Sequence, residues 1–418
     1  MKKLYVTSLF FLTTLFAVSS FATMLDQIKQ GKSKSVMCSG CHGNNGIGIS
    51  NEFPNLASQK SAYLKKQLND FKTGIRTNAT MNAMAQSLTD KDINNLALYF
   101  STLARQPSAI PTILVSNNHK SKASSAEFPD AVFSSMKASA AIEKFPSEKV
   151  AKGGENMLYT ALTPNGRMLL STSPSTNTVY VFNSKTLKQL AIIKVGKAPK
   201  GVKVMPNGKF AYVSNQGSNN ISVIDLHTLT NIGSIKTAAG PHNVRFTKNG
   251  ELAYVTLQGG AGIGVINTKT AKMTQIIPVL GITGPHNLDL SLDEKTAYVR
   301  DFVHHVAVID LQTEKVRKVF TVGNGHGGID VFPNGKYVAT AAIGDTFITI
   351  INTKTLALNN IELGTASHGI RASKNNQWLY VTLPKDNSIA VINTHNWQVE
   401  KSIAVGKFPF WLAVQGNP

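Results

Sequence analysis

A two-residue turn signal occurs six times at nearly constant spacing, and this period constrains the fold more than any other feature of the chain. It stands at Asn165-Gly166, Asn207-Gly208, Asn249-Gly250, Asp293-Glu294, Asn334-Gly335 and Asn375-Asn376, with intervals of 42, 42, 44, 41 and 41 residues. Each signal precedes a short apolar strand, such as Ala211-Tyr-Val-Ser-Asn215 or Leu379-Tyr-Val-Thr382. A second strand then ends on Asn183, Asp225, Asn267, Asp310, Asn352 or Asn393. One more apolar strand closes the unit, as in Ile192-Ile-Lys-Val-Gly196. A period near 42 residues with four short strands and no helical pattern predicts the blade of a β-propeller. Six complete units run from about 157 to 406, and Phe410-Trp411-Leu-Ala-Val414 begins another. A lone strand cannot stand, so it is expected to close the ring by pairing with strands from the segment ahead of the repeats. Residues 157–418 are therefore expected to form an all-β propeller of six to seven blades, with seven preferred.

The 418-residue chain is too long for one compact core, and its first part reads differently. Lys2 and Lys3, the apolar stretch Leu4 to Val18 and the small residues up to Ala22 have the form of an export signal, a signal peptide over 1–22. Thr7, Ser8, Thr13 and Thr14 interrupt the apolar run and favour cleavage over a membrane anchor. No later segment is apolar and long enough to span a bilayer, so the mature chain is expected to be soluble and periplasmic.

Export gives the two cysteines their meaning. Both fall in Cys38-Ser39-Gly40-Cys41-His42, leaving nothing over for a structural disulfide. Two thiols one helical turn apart each add to a haem vinyl group, and the adjacent His42 becomes an axial iron ligand. A bare Cys-x-x-Cys also suits a redox dithiol or half a zinc site. The directly following histidine and the export signal favour one covalent haem c. A thioether from Met81 or Met84, in Thr80-Met-Asn-Ala-Met-Ala85, would supply the second axial ligand. The helical spacing of Tyr63, Leu64, Leu68 and Phe71, and of Ile93, Leu96, Ala97, Phe100 and Leu103 behind a capping-box-like Thr89 and Asp92, predicts helices around the haem.

These residues, with Phe53-Pro-Asn-Leu-Ala57, Tyr63-Leu-Lys-Lys-Gln-Leu68 and Leu88-Thr-Asp90, make residues 25–104 similar to the small bacterial class I cytochromes of periplasmic electron transfer. The resemblance implies a small all-α class I cytochrome c domain over 23–105. It also implies a methionine ligand nine residues before the Asp that opens the last helix, which selects Met81. Residues 106–156, rich in Ser, Ala, Lys and Pro, read as a linker able to donate strands to the propeller. Within it Ile110–Ser116 is expected as a short strand and Ala131–Ile142 as a short helix.

The formal charge of +20 becomes +18 once Lys2 and Lys3 leave, and ten basic against five acidic residues put +5 on 23–105. Such a balance favours an acidic redox partner or a small anionic substrate over nucleic acid. Aligning the repeats on their turns brings His242, His286 and His368 to one blade position, with His326 one residue earlier and Lys200 in the second unit. These residues are expected to open the innermost strands at the channel mouth. Arg300 and Asp301, ahead of His304-His305, mark the fourth unit. They either pair with each other or join a tentative catalytic site with the four histidines, where Lys200 and Arg300 would steer an anion. Neutral imidazoles there suit copper, iron or a second tetrapyrrole.

The repeats resemble the YVTN family of bacterial propellers, on strands like Tyr212-Val-Ser-Asn215 and Tyr254-Val-Thr256. The whole plan is similar to the cytochrome-cd-type nitrite reductases and related d-type-haem proteins, whose channel histidines and Arg-Asp pair are echoed here, although those propellers normally have eight blades. Three functions fit: an oxidoreductase exchanging electrons with a centre or substrate in the channel, an electron-transfer protein whose propeller only docks a partner, and a nitrite-reductase-like d-type-haem protein.

Overall fold

In a computed structural model, residues 7–43, 45–48, 53–103, 131–147, 149–260 and 262–417 are described. The chain divides into two compact units, residues 1–115 and 116–418. The expected strand at Ile110–Ser116 and the start of the signal peptide lie outside the described residues. No helix among those described is long and apolar enough to cross a membrane.

Four helices build the first unit: α1 (Thr7–His42), α2 (Ser61–Thr73), α3 (Ala79–Gln86) and α4 (Asp90–Thr102). Helices α1 and α4 cross closely at Gly31. A Cβ there would stand 2.1 Å from the Asn95 carbonyl oxygen, so only glycine permits the approach. Leu64 and Phe71 of α2 and Ile93, Leu96, Ala97 and Phe100 of α4 are buried, as their spacing requires. Thr89 caps α4 and Asp92 caps back, completing the expected capping box.

The second unit is a ring of seven four-stranded antiparallel sheets. Six follow the repeats in order, from the blade starting at Thr160–Leu162 to the blade ending at Gln398–Ala404. In the seventh, the C-terminal strand Pro409–Val414 is innermost. It pairs with Val132–Met136, which is followed outward by Ala141–Phe145 and Lys149–Lys152. The expected helix over 131–142 is thus corrected to two strands joined by a tight turn. Pairing Val132 with Val414 and Phe133 with Ala413 satisfies a row of backbone groups that an isolated helix would leave open at the last blade. Apolar clusters fill the spaces between blades, as where Phe332, Ile348 and Ile350 meet Ile370, Leu379 and Val381.

Candidate functional site

Helix α1 ends on the attachment motif. Cys38 and Cys41 are half-buried on its last turns, and His42 is its final residue. Gly43 stops the helix in the left-handed region, φ 74°, where its N–H donates to the Ser39 carbonyl at 2.9 Å. A catalytic dithiol is normally activated at a helix N-terminus, whereas these thiols sit at the negative end of the helix dipole. Burial, and then Cys41, pushes the Cys38 thiol up to about 12, against the pull of Lys34. The pair lacks the activation by a helix N-terminus that a redox dithiol uses.

His42 is 5% exposed, and its Nδ1 donates to the Pro54 carbonyl at 2.8 Å. That bond fixes the tautomer and leaves the Nε2 lone pair for a metal, the arrangement iron-ligating histidines use. Burial lowers its pKa, although the bond to Pro54 opposes the shift, so the ring stays neutral. Met81 and Met84 both lie on α3, half-buried and three residues apart, behind an Asn78 cap that accepts from the Met81 amide at 3.0 Å. The residues present fit a covalently bound haem.

In the propeller, His242 and His286 are the second residues of the innermost strands Pro241–Phe246 and Pro285–Leu290. His326 and His368 precede the shorter inner strands Ile329–Val331 and Ile370–Ala372. The four form a continuous arc. Ring centroids are 3.9 Å apart for His242 and His286, 4.9 Å for His286 and His326, and 5.0 Å for His326 and His368. Phe410, 3.8 Å from His368, and Tyr159, 5.8 Å from Phe410 and 5.4 Å from His242, close the girdle.

Burial lowers the pKa of every histidine in it, for His368 to about 3, so all four are neutral at neutral pH. His242 Nδ1 donates to the His286 carbonyl at 3.0 Å, and His368 Nδ1 to the Phe410 carbonyl at 2.8 Å. Both nitrogens of His286, Nδ1 of His326 and Nε2 of His368 are buried without a hydrogen-bond partner.

A threonine in the second strand of three blades anchors the next girdle position. Thr172 donates to the Lys200 carbonyl at 2.8 Å, Thr256 to that of His286 at 2.8 Å, and Thr382 to that of Phe410 at 3.2 Å. In the fourth blade Arg300 stands at this place in the repeat. Its Nη2 reaches the carbonyls of Gly323 at 2.7 Å and Gly325 at 2.6 Å. The longer side chain therefore anchors Gly325, the residue before His326.

Arg300 and Asp301 do not pair. The Asp301 carboxylate accepts from His305 Nδ1 at 2.8 Å and from the amides of His305, Val303 and Thr283 at 2.7, 2.9 and 3.2 Å. It thereby ties down the turn that carries His304. Arg300 is fully buried, and its Nε and Nη1 have no hydrogen-bond partner. Burial lowers its pKa only to about 10, so it stays charged.

A second layer escaped the reading of the repeats. Three residues beyond the girdle positions stand Lys203, Arg245, Asp289 and Arg371, and in the fifth blade Asp330 stands four beyond His326. Arg245 pairs with Asp289 at 2.9 Å and Arg371 with Asp330 at 2.7 Å. Tyr159, Lys203, Asn243, Arg245, Arg371 and Trp411 line a small cleft at this level. The same alignment that located the histidines reveals this layer when carried three residues further.

Comparison with known proteins divides the chain in the same way. A family model described as cytochrome c matches residues 28–104, and one described as a YNCE-like beta-propeller matches residues 158–295. Over 75 residues the chain is 37% identical to cytochrome c-554(548) of Halomonas halodenitrificans, covering 17% of this chain and 90% of that protein. Over 72 residues it is 39% identical to cytochrome c4 of Pseudomonas aeruginosa, covering 17% of this chain and 36% of the relative, about a third of its length. The fold is similar to a solved chain of Kuenenia stuttgartiensis hydrazine synthase, with a TM-score of 0.57 and 18% identity over 62% of this chain and 90% of that one. At that identity the likeness concerns fold alone.

Proposed function

The chain belongs to the cytochrome c family, and from that premise we propose that it is an exported, periplasmic mono-haem electron-transfer protein whose propeller holds a redox centre or substrate at the mouth of its channel. The observation that carries this reading is His42, the last residue of α1, with Nδ1 held by the Pro54 carbonyl. Cys38 and Cys41 would hold a haem covalently, and His42 and Met81 would supply its two iron ligands. Haem bound there supplies a one-electron carrier, with a potential raised by the thioether. The residue numbers and the spacing of Met81 from Asp90 support Met81 over Met84.

The +18 charge left after signal removal suits an acidic redox partner, attracted over distances of about one Debye length, roughly 8–10 Å. The positive charge of Lys200, at a girdle position, and of the buried Arg300 favours an anionic substrate. Three buried neutral imidazoles with unpartnered nitrogens, His286, His326 and His368, are unusual in a module that only docks a partner, since native interiors satisfy nearly all such groups. They favour an oxidoreductase over the docking reading. Seven blades depart from the eight of the d-type-haem proteins.

The test is expression with c-type maturation. One haem per chain is expected on denaturing gels, lost when Cys38→Ala and Cys41→Ala are combined. Met81→Ala should remove the weak far-red sulfur-to-iron band and lower the potential, whereas Met84→Ala should keep the band. Covalent haem in the double cysteine variant, or loss of the band only with Met84→Ala, would overturn the corresponding assignment.

A further inference from the structure

We propose that His286, His326 and His368 form a three-imidazole centre for a single copper ion. The proposal rests on the reading of the channel mouth as a redox site and names the centre held there. One ligand nitrogen from each ring lies within 4.8 Å of the other two. The centre of a triangle of that side is about 2.8 Å from each nitrogen, roughly 0.7 Å beyond a metal–imidazole bond of about 2.0–2.1 Å. Small χ rotations, well inside the width of a rotamer well, close that distance.

The nitrogens are set up for a metal. Buried nitrogens on all three rings have no hydrogen-bond partner among the described residues, and a bound ion would satisfy them. His368 donates its Nδ1 proton to the Phe410 carbonyl, which aims the remaining lone pair of Nε2 away from that carbonyl. His242 stands outside the set, since the nitrogens that converge within 4.8 Å come from His286, His326 and His368.

Inheritance of a structural histidine by duplicated repeats does not explain the set. Gly240-Pro-His-Asn243 and Gly284-Pro-His-Asn287 share that motif, but only His286 of the two belongs to the triad. His326 in Asn324-Gly-His-Gly-Gly328 and His368 in Ala366-Ser-His-Gly-Ile370 come from different surroundings. An all-imidazole set without thiolate or carboxylate suits copper, zinc or iron, and copper stands at the top of the affinity order for such ligands. Its one-electron couple also matches a cytochrome. Three protein ligands leave a coordination position open to a small exogenous ligand.

The experiment uses the full-length, haem-loaded protein, stripped with a chelator and titrated with copper(II) sulfate. Elemental analysis should then give one copper beside one iron per chain. The paramagnetic resonance spectrum should show a tetragonal copper with nitrogen hyperfine structure. The triple variant His286→Gln/His326→Gln/His368→Gln should bind at least 100-fold more weakly, with the haem absorption spectrum unchanged, and His326→Gln alone at least tenfold more weakly. Wild-type protein with an intact haem spectrum that retains no copper would overturn the centre, while leaving the haem assignment standing. So would copper bound equally by wild type and His326→Gln, or a copper signal from oxygen ligands alone. Near-ultraviolet circular dichroism of each variant separates loss of ligands from loss of fold: weaker binding by a variant of native spectrum supports the centre.

Discussion

Single residues in this chain take roles that their neighbours decide. Asp301 lies beside Arg300 in sequence, yet it holds the 302–305 turn through three hydrogen bonds, two of them from backbone amides, and accepts a fourth from the Thr283 amide. Burial pushes its carboxyl up, but the bonds from His305, with Arg300 nearby, outweigh burial and hold it below the ordinary value of 3.8. The unfolded chain therefore binds this proton more readily than the native one. Its contribution to stability is present above about pH 4 and is lost as pH falls through 3.8 toward the native value. Asp301→Asn is expected to cost about 2 kcal/mol at pH 7, as charge-assisted hydrogen bonds weaken. In urea titrations the gap between wild type and variant should narrow below pH 4. A gap that stays constant down to pH 3 would rule out this role.

At the scale of elements, local signals and packing agree in the cytochrome unit. The spacing of Ile93, Leu96, Ala97 and Phe100 and the Thr89/Asp92 box predict α4, and both are present. Thr89 accepts from the Asp92 amide at 3.1 Å and Asp92 from the Thr89 amide at 3.0 Å. Thr89→Ala is expected to destabilise the unit by about 1 kcal/mol. Denaturant unfolding followed at the haem band should move, while the propeller transition stays in place. Residues 131–142 behave differently. Their apolar pattern, Val132, Phe133, Met136 and Ile142, fits either a short helix or paired strands, and a partner 273 to 282 residues away decides for strands. Local propensity has no access to that partner.

The whole ring depends on that distant pairing. Pro409–Val414 is the innermost strand of a blade whose other three strands lie near residue 140. Phe410, Trp411, Leu412 and Val414 are all at most 7% exposed. Emptying even two such positions costs about 4–10 kcal/mol, comparable to the whole stability of a typical domain, about 5–15 kcal/mol. Ending the chain at Lys407 should therefore abolish the cooperative propeller transition in calorimetry, and a transition of unchanged midpoint would refute closure by this strand.

The haem motif, the blade period and the shared position of the girdle histidines were legible in the sequence, because each follows from a local pattern or a repeat. The Pro54 carbonyl behind His42, the pairing of Arg245 with Asp289 and of Arg371 with Asp330, and the unpartnered nitrogens of the triad were not. The sequence by itself determined a cytochrome followed by a propeller, since covalent attachment needs adjacent residues and blades need a regular repeat. Only the tertiary structure decided which strands close the ring and which imidazoles converge, because those depend on the curvature that brings residues some forty positions apart into contact around one axis.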